Sequence, residues 1–388
     1  MQFNLATMLA QAERVTELAD WGDDDFREPL AVLLDSLNNE ARLSDIGCER
    51  TESHIHNTLC QRLRMIEDRK RRPQIAAQIV DRPLFMTGLP RSGTSFLNAM
   101  VAANPANLAP LHWQMWCPSP PPNDPALDHS AQIALARRLL DFQGFTAPEM
   151  KERHHYDAMN AEESGHLCEF SFLSTDFPAF WDVPAYAAYL YSHDYRLAYR
   201  WHKFGLQALQ IGTQGRRWAL KAPEHMYHLR ELLDVFPDAI LVMNHRDPSK
   251  VMASVLSMVA VHRDYFGNRP LKFDRTQALD FMEPMVLALE QVMRMREDPA
   301  IERRFIDIAY LDLERDPLRE VARVHAHMGM TFDEAAREAA RRHHAANRKG
   351  QFGKHRYLLS EYGLTQQEVH ERLQSYIRRF NVELEDGS

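Results

Sequence analysis

The stretch Leu84-Phe-Met-Thr-Gly-Leu-Pro-Arg-Ser-Gly-Thr-Ser-Phe-Leu97 limits the fold of this chain more than any other. It opens as a short apolar run that reads as a buried strand, breaks at Gly88 and Pro90, and resumes at Thr94 with helical periodicity. A strand that enters a helix through a Gly-rich turn aims backbone N–H groups and the positive end of a helix dipole at one spot. That is an anion site. Gly88 and Gly93 have the GxxxxG spacing of a nucleotide-binding loop, but Thr94 stands where that motif needs the lysine that reaches the β- and γ-phosphates. The cation is Arg91, inside the loop. The pattern predicts a phosphate cradle that does not hold a nucleoside triphosphate.

At 388 residues, 45% apolar and 26% charged, the chain is long enough for a large α/β domain with an appendage. A net charge of −8 argues against a general nucleic-acid binder. No apolar run approaches the roughly 20 residues that span a bilayer, and the opening Met1-Gln-Phe-Asn-Leu-Ala lacks the basic and apolar regions of a secretory signal. Cys48, Cys60, Cys117 and Cys168 are scattered without a CxxC pair, which fits reduced thiols in a cytoplasmic protein. His54, His56 and Cys60 match no standard zinc spacing and read as one face of an amphipathic helix, so no metal is expected.

Residues 1–80 carry helical periodicity at 6–18, 26–37 and 55–66 and read as a helical appendage; residues 81–388 read as the α/β domain. The run 104–122 is dense in Pro and Trp and predicts an ordered loop. Aromatic residues crowd between Phe170 and Trp201, as a core or as a wall for an apolar acceptor. Further strands are expected at 217–221, 239–243 and 304–309, each followed by a helix. Such alternation predicts a parallel sheet in a P-loop-like three-layer sandwich, with ligands at the strands' C-terminal ends. The loop 88–95, Lys221 and Arg246 all fall at such ends. The run 341–356 holds six Arg or Lys and no acid, either as a solvated face or as an anion lid.

These segments together resemble the sulfotransferases that use 3′-phosphoadenosine 5′-phosphosulfate (PAPS), in the right order from about 82 to 365. Gly88-Leu-Pro-Arg-Ser-Gly-Thr-Ser95 resembles the phosphosulfate loop, and His245-Arg-Asp-Pro-Ser-Lys-Val-Met-Ala-Ser254 the 3′-phosphate element. Leu220-Lys-Ala-Pro-Glu-His225 resembles the segment with a lysine near the sulfonate, and Arg348-Lys-Gly-Gln-Phe-Gly353 the basic loop over the nucleotide. The resemblance implies that the N–H groups of Arg91, Ser92, Gly93, Thr94 and Ser95 hold the 5′-phosphate. It gives the 3′-phosphate to Arg246 and Ser254, closure to Arg348, Lys349 and Gly350, and charge neutralisation in transfer to Lys221. It also accounts for the missing lysine, since PAPS has no γ-phosphate.

Transfer to a hydroxyl needs a base. Relatives often carry Trp-Glu after the first helix, whereas this chain has Trp113-Gln114. His112, whose unperturbed pKa would be about 6.5, is favoured over Glu163 and Glu162. The general likeness to bacterial members implies a lipophilic alcohol acceptor, such as ω-hydroxylated dihydromenaquinone, and a peripheral contact with the inner face of the membrane. The alternatives are a non-catalytic nucleotide- or lipid-binding protein and a P-loop kinase.

Overall fold

Leu84–Gly88 (β1) is the central strand of a five-stranded sheet in the computed structural model, which describes residues 2–213, 215–267, 273–346 and 357–385. Its companions are β2 (Asn107–Leu108), β3 (Arg217–Lys221), β4 (Ile240–His245) and β5 (Phe305–Ala309). They lie in the order β2-β3-β1-β4-β5, and every pairing is parallel. All five belong to one of the chain's two units, composed of Asp81–Ala109, Arg216–Met258 and Lys272–Ser388.

Side chains alternate across a strand, and the sheet uses both faces. Leu84 and Met86 join Leu97, Met100 and Val101 of the helix Thr94–Ala102, with Val321 and Val324, in one buried cluster. Phe85 points the other way, edge-on to His225 at 5.0 Å and beside Phe236 at 5.1 Å. Burial on both faces explains why these strands read as continuous apolar runs. The strands expected at 217–221, 239–243 and 304–309 are present within a few residues. β2 was not anticipated, because two residues carry no periodicity; it pairs with β3 at Asn107↔Arg217 and Leu108↔Trp218.

The register sets the site. Met86 lies opposite Lys221 on β3, and Gly88 opposite Asn244 on β4. The C-terminal ends of three adjacent strands therefore meet at the loop after β1, where parallel α/β sheets bind ligands.

The other unit comprises Met1–Val80, Pro110–Gly215 and Val259–Leu271. Residues 1–80 thus do not stand apart as an appendage, and the division differs from one domain over 81–388. The reason lies in the 27-residue helix Asp45–Arg71, capped by Ser44, whose hydroxyl accepts from the Gly47 N–H at 3.0 Å. Arg62, fully buried at its middle, lies 4.0 Å from the Phe26 ring and 3.9 Å from that of Trp201. It donates to the carbonyls of Phe170 at 2.6 Å and Trp21 at 3.3 Å. Burial pushes its pKa down to about 9. A buried cation whose Nη1 and Nη2 donate to distant backbone carbonyls ties the early helices to the middle of the chain.

The aromatic crowd is core in this unit. Phe172, Phe177, Trp181 and Tyr186 are buried, and the Phe177 and Trp181 rings stack at 5.4 Å. Where an ordered loop was expected, five residues, His112–Trp116, turn into a short helix. Pro110 and Pro118 bracket the longest proline-free window there, and the Leu111 N–H donates to Gln114 Oε1 at 3.0 Å. Gln114 also donates to Asn123 Oδ1 at 2.9 Å, so its amide has a structural task. Among the described residues, no helix is long and apolar enough to cross a membrane.

Candidate active site

The loop after β1 turns through left-handed backbone at two glycines and at Arg91. Gly88, Arg91 and Gly93 have φ of +119°, +61° and +88°. A Cβ on Gly88 would lie 2.5 Å from the Asn244 carbonyl oxygen, so only glycine fits between β1 and β4 there. Gly88→Ala is expected to lower stability by about 2–4 kcal/mol, read as a lower midpoint in urea unfolding. An unchanged midpoint would mean that the strands separate without cost. The turn is braced from within: Ser92 Oγ donates to the Leu89 carbonyl at 2.6 Å, and Asn244 Nδ2 to that of Ser92 at 3.2 Å. Gly93 caps the helix Thr94–Ala102 without a side-chain acceptor for the first turn. First-turn N–H groups of this kind suit an anionic ligand.

Around this loop the unit gathers the predicted polar groups. Arg91 Nε donates to Ser254 Oγ at 3.1 Å, which links the loop to the helix that begins at Pro248. Arg246 Nη1 donates to the Arg91 carbonyl at 2.8 Å. Lys221 ends β3 with 1% of its surface exposed. Ser92, Thr94 and Ser254 are buried, whereas Ser95 is exposed.

Two partners of Arg246 were not foreseen. Its guanidinium lies 3.9 Å from the Tyr310 ring centroid, and Glu385 takes its Nε at 2.7 Å and Nη2 at 3.0 Å. Burial opposes its charge, but Glu385 outweighs this and raises its pKa. Tyr310 directly follows β5, a strand-end position that was a readable signal. Glu385 had none, being 139 residues away in the chain. Arg246, Tyr310 and Glu385 line a cavity of about 290 Å³ with His245, Asp247 and Asp307.

The three base candidates lie in the other unit, each in a different setting. His112 is fully buried, edge-on to Trp116 at 4.6 Å and 5.1 Å from the His166 ring, with no hydrogen bond to either ring nitrogen among the described residues. Burial, helped by the nearby His166, pushes its pKa down to about 3. Glu162 is buried and accepts from His154 Nε2 at 2.6 Å. Glu163 is half-buried.

Deeper in that unit His166, Glu169 and Asp176 place donor atoms within 4.8 Å of one another, a grouping that can hold a metal ion. They are bonded among themselves: His166 Nδ1 lies 2.9 Å from Glu169 and 3.0 Å from Asp176, and Glu169 also meets His54 Nε2 at 2.7 Å. Burial opposes the charge on His166, but the two carboxylates hold its pKa well above the usual imidazole range. The four form a buried polar network of close contacts. Cys60 Sγ is 3.4 Å from His56 Nε2 on one helical face. The predicted lid residues Arg348, Lys349 and Gly350 lie outside the described residues.

Comparison with known proteins bears on the family and the fold. The model of the sulfotransferase family matches residues 83–334, from the start of β1 past β5. The structure is similar to that of sulfotransferase STF1 from Mycobacterium tuberculosis H37Rv, with 30% identity over 96% of this chain and 99% of that one, and a TM-score of 0.81. It is also similar to sulfotransferase STF9 from Mycobacterium avium, with 28% identity over 98% of each chain and a TM-score of 0.82. No curated protein matches the chain. The strand-end loop, the lysine and the arginine thus stand in a protein whose whole length follows a known template, and the chain belongs to the sulfotransferase family.

Proposed function

We propose that the protein transfers a sulfonate from PAPS to the hydroxyl of a lipophilic alcohol and releases adenosine 3′,5′-bisphosphate. The observation that supports this most is the bonded set Arg246–Arg91–Ser254, which joins the loop after β1 to the end of β4 and the helix that follows. In this reading the loop N–H groups from Arg91 to Ser95 hold the 5′-phosphate, and Arg246 and Ser254 hold the 3′-phosphate. An arginine fork suits a phosphate, and a serine adds a neutral donor. The acceptor oxygen attacks sulfur, the S–O bond to the 5′-phosphate breaks, and the bisphosphate leaves with that electron pair. Lys221 neutralises the charge that grows on the bridging oxygen. Arg348, Lys349 and Gly350 close over the nucleotide. No step calls for a metal.

The base is assigned to Glu163 rather than His112. An imidazole with a pKa of about 3 and no exposed surface is a poor proton acceptor, and Glu162 is engaged by His154. Glu163→Gln is expected to lower kcat by about 10²–10⁴-fold with bisphosphate affinity retained. His112→Ala should instead lower the melting temperature, because it empties a packed site, and leave kcat of the folded protein within a few fold. Full activity of Glu163→Gln, with loss in His112→Ala at unchanged stability, would restore His112.

The lipophilic acceptor rests on likeness to bacterial sulfotransferases, and ω-hydroxylated dihydromenaquinone is the first alcohol to try. Cys48, Cys60, Cys117 and Cys168, none of them in a disulfide, fit a reducing, cytoplasmic setting, and a lipophilic acceptor fits peripheral access to the membrane's inner face. Titration with adenosine 3′,5′-bisphosphate and with ATP tests the donor site. Tighter binding of the bisphosphate supports the reading; a preference for ATP with Mg²⁺ contradicts it.

A further inference from the structure

Each nitrogen of the Arg246 guanidinium has a partner, and one of those partners is an acid from the far end of the chain. Nη1 is given to the Arg91 carbonyl, and one face is covered by Tyr310. The side-on edge formed by Nε and Nη2 is taken by both carboxylate oxygens of Glu385. That edge is the one through which arginine takes an oxyanion bidentately.

Glu385 is held at a second point. Its backbone N–H donates to Asp247 Oδ2 at 2.9 Å. Asp247 is fully buried, and its other oxygen accepts from the Ser249 N–H at 2.8 Å and from His370 Nε2 at 2.8 Å. The tail thus docks on a carboxylate that the fold has already fixed, and it places its own carboxylate on the neighbouring arginine. The pair is largely shielded, with 14% and 19% of the two side chains exposed, so solvent screens it only partly.

We propose that Glu385 occupies the 3′-phosphate position on Arg246, so that the C-terminal segment and the donor nucleotide exclude each other. This rests on the assignment of Arg246 to the 3′-phosphate. A phosphate carries more charge than a carboxylate and takes the same fork, so donor binding displaces Glu385. The tail lowers apparent donor affinity by the fraction of time it is docked. Because the bisphosphate product carries the same 3′-phosphate, a returning tail also helps to expel it.

The test is titration of the full chain with adenosine 3′,5′-bisphosphate and adenosine 5′-phosphate, using wild type, Glu385→Ala, Glu385→Gln and Arg246→Ala. Glu385→Ala should bind the bisphosphate about tenfold more tightly, Glu385→Gln by a smaller factor, and neither should alter affinity for the 5′-phosphate. Hydrogen exchange gives a second readout: the Glu385 amide should lose protection in wild type when the bisphosphate is added. Unchanged or weaker bisphosphate binding in Glu385→Ala, or greater protection of that amide with ligand, would overturn the competition. If Arg246→Ala itself binds the bisphosphate normally, the 3′-phosphate assignment fails, and this inference with it.

Discussion

Arg246→Ala should weaken binding of adenosine 3′,5′-bisphosphate by about a hundredfold, while binding of adenosine 5′-phosphate falls only a few fold. The expected loss is that of a shielded, bidentate, charge-assisted contact, about 2–3 kcal/mol. The selectivity follows from the geometry. Arg246 meets the loop through the Arg91 carbonyl, and the loop's own braces, Ser92 to Leu89 and Asn244 to Ser92, do not involve it. Arg246→Lys keeps the charge without the fork and should fall between the two. Calorimetry with both nucleotides checks this. Equal loss for both would show that Arg246 supports the loop rather than the 3′-phosphate.

Lys221→Met should lower kcat by about 10²–10³-fold and leave bisphosphate affinity nearly unchanged. The lysine closes β3 beside Met86, at the strand ends that surround the loop, and is almost wholly buried. A buried ammonium acts most strongly where charge develops during the reaction, and the product lacks the sulfonate whose departure creates that charge. Methionine keeps the apolar stem, so folding should survive, and a melting curve establishes that. A variant with normal kcat would remove Lys221 from the chemistry.

Much of this site was legible in the sequence because each of its parts has a local cause. A buried strand, a Gly-rich turn and a helix at 84–97 announce themselves through residue type and spacing, and Lys221 and Arg246 follow apolar runs that only a two-sided sheet explains. What escaped depends on contacts across the chain. β2 is too short to show a period and exists through its pairing with β3. His112 looked like a base from its residue type, but its burial among Trp116, Tyr156 and His166 is a property of the folded unit. The grouping of residues 1–80 with the middle of the chain turns on Arg62 finding carbonyls as far away as Phe170. Glu385 sits in an unremarkable acidic tail, and nothing near it names Arg246 as its partner.

The central claim is that the loop 88–95, Lys221, Arg246 and Ser254 form a sulfonate-donor site. Incubation of the purified protein with PAPS and, separately, with ATP, each with lipophilic alcohols including ω-hydroxylated dihydromenaquinone, tests it most directly. Sulfonation of an alcohol that persists when divalent metal is chelated, with no phosphate transfer from ATP, is the predicted result. Phosphate transfer that depends on Mg²⁺, or tight binding of adenosine 3′,5′-bisphosphate without turnover on any alcohol, would contradict it.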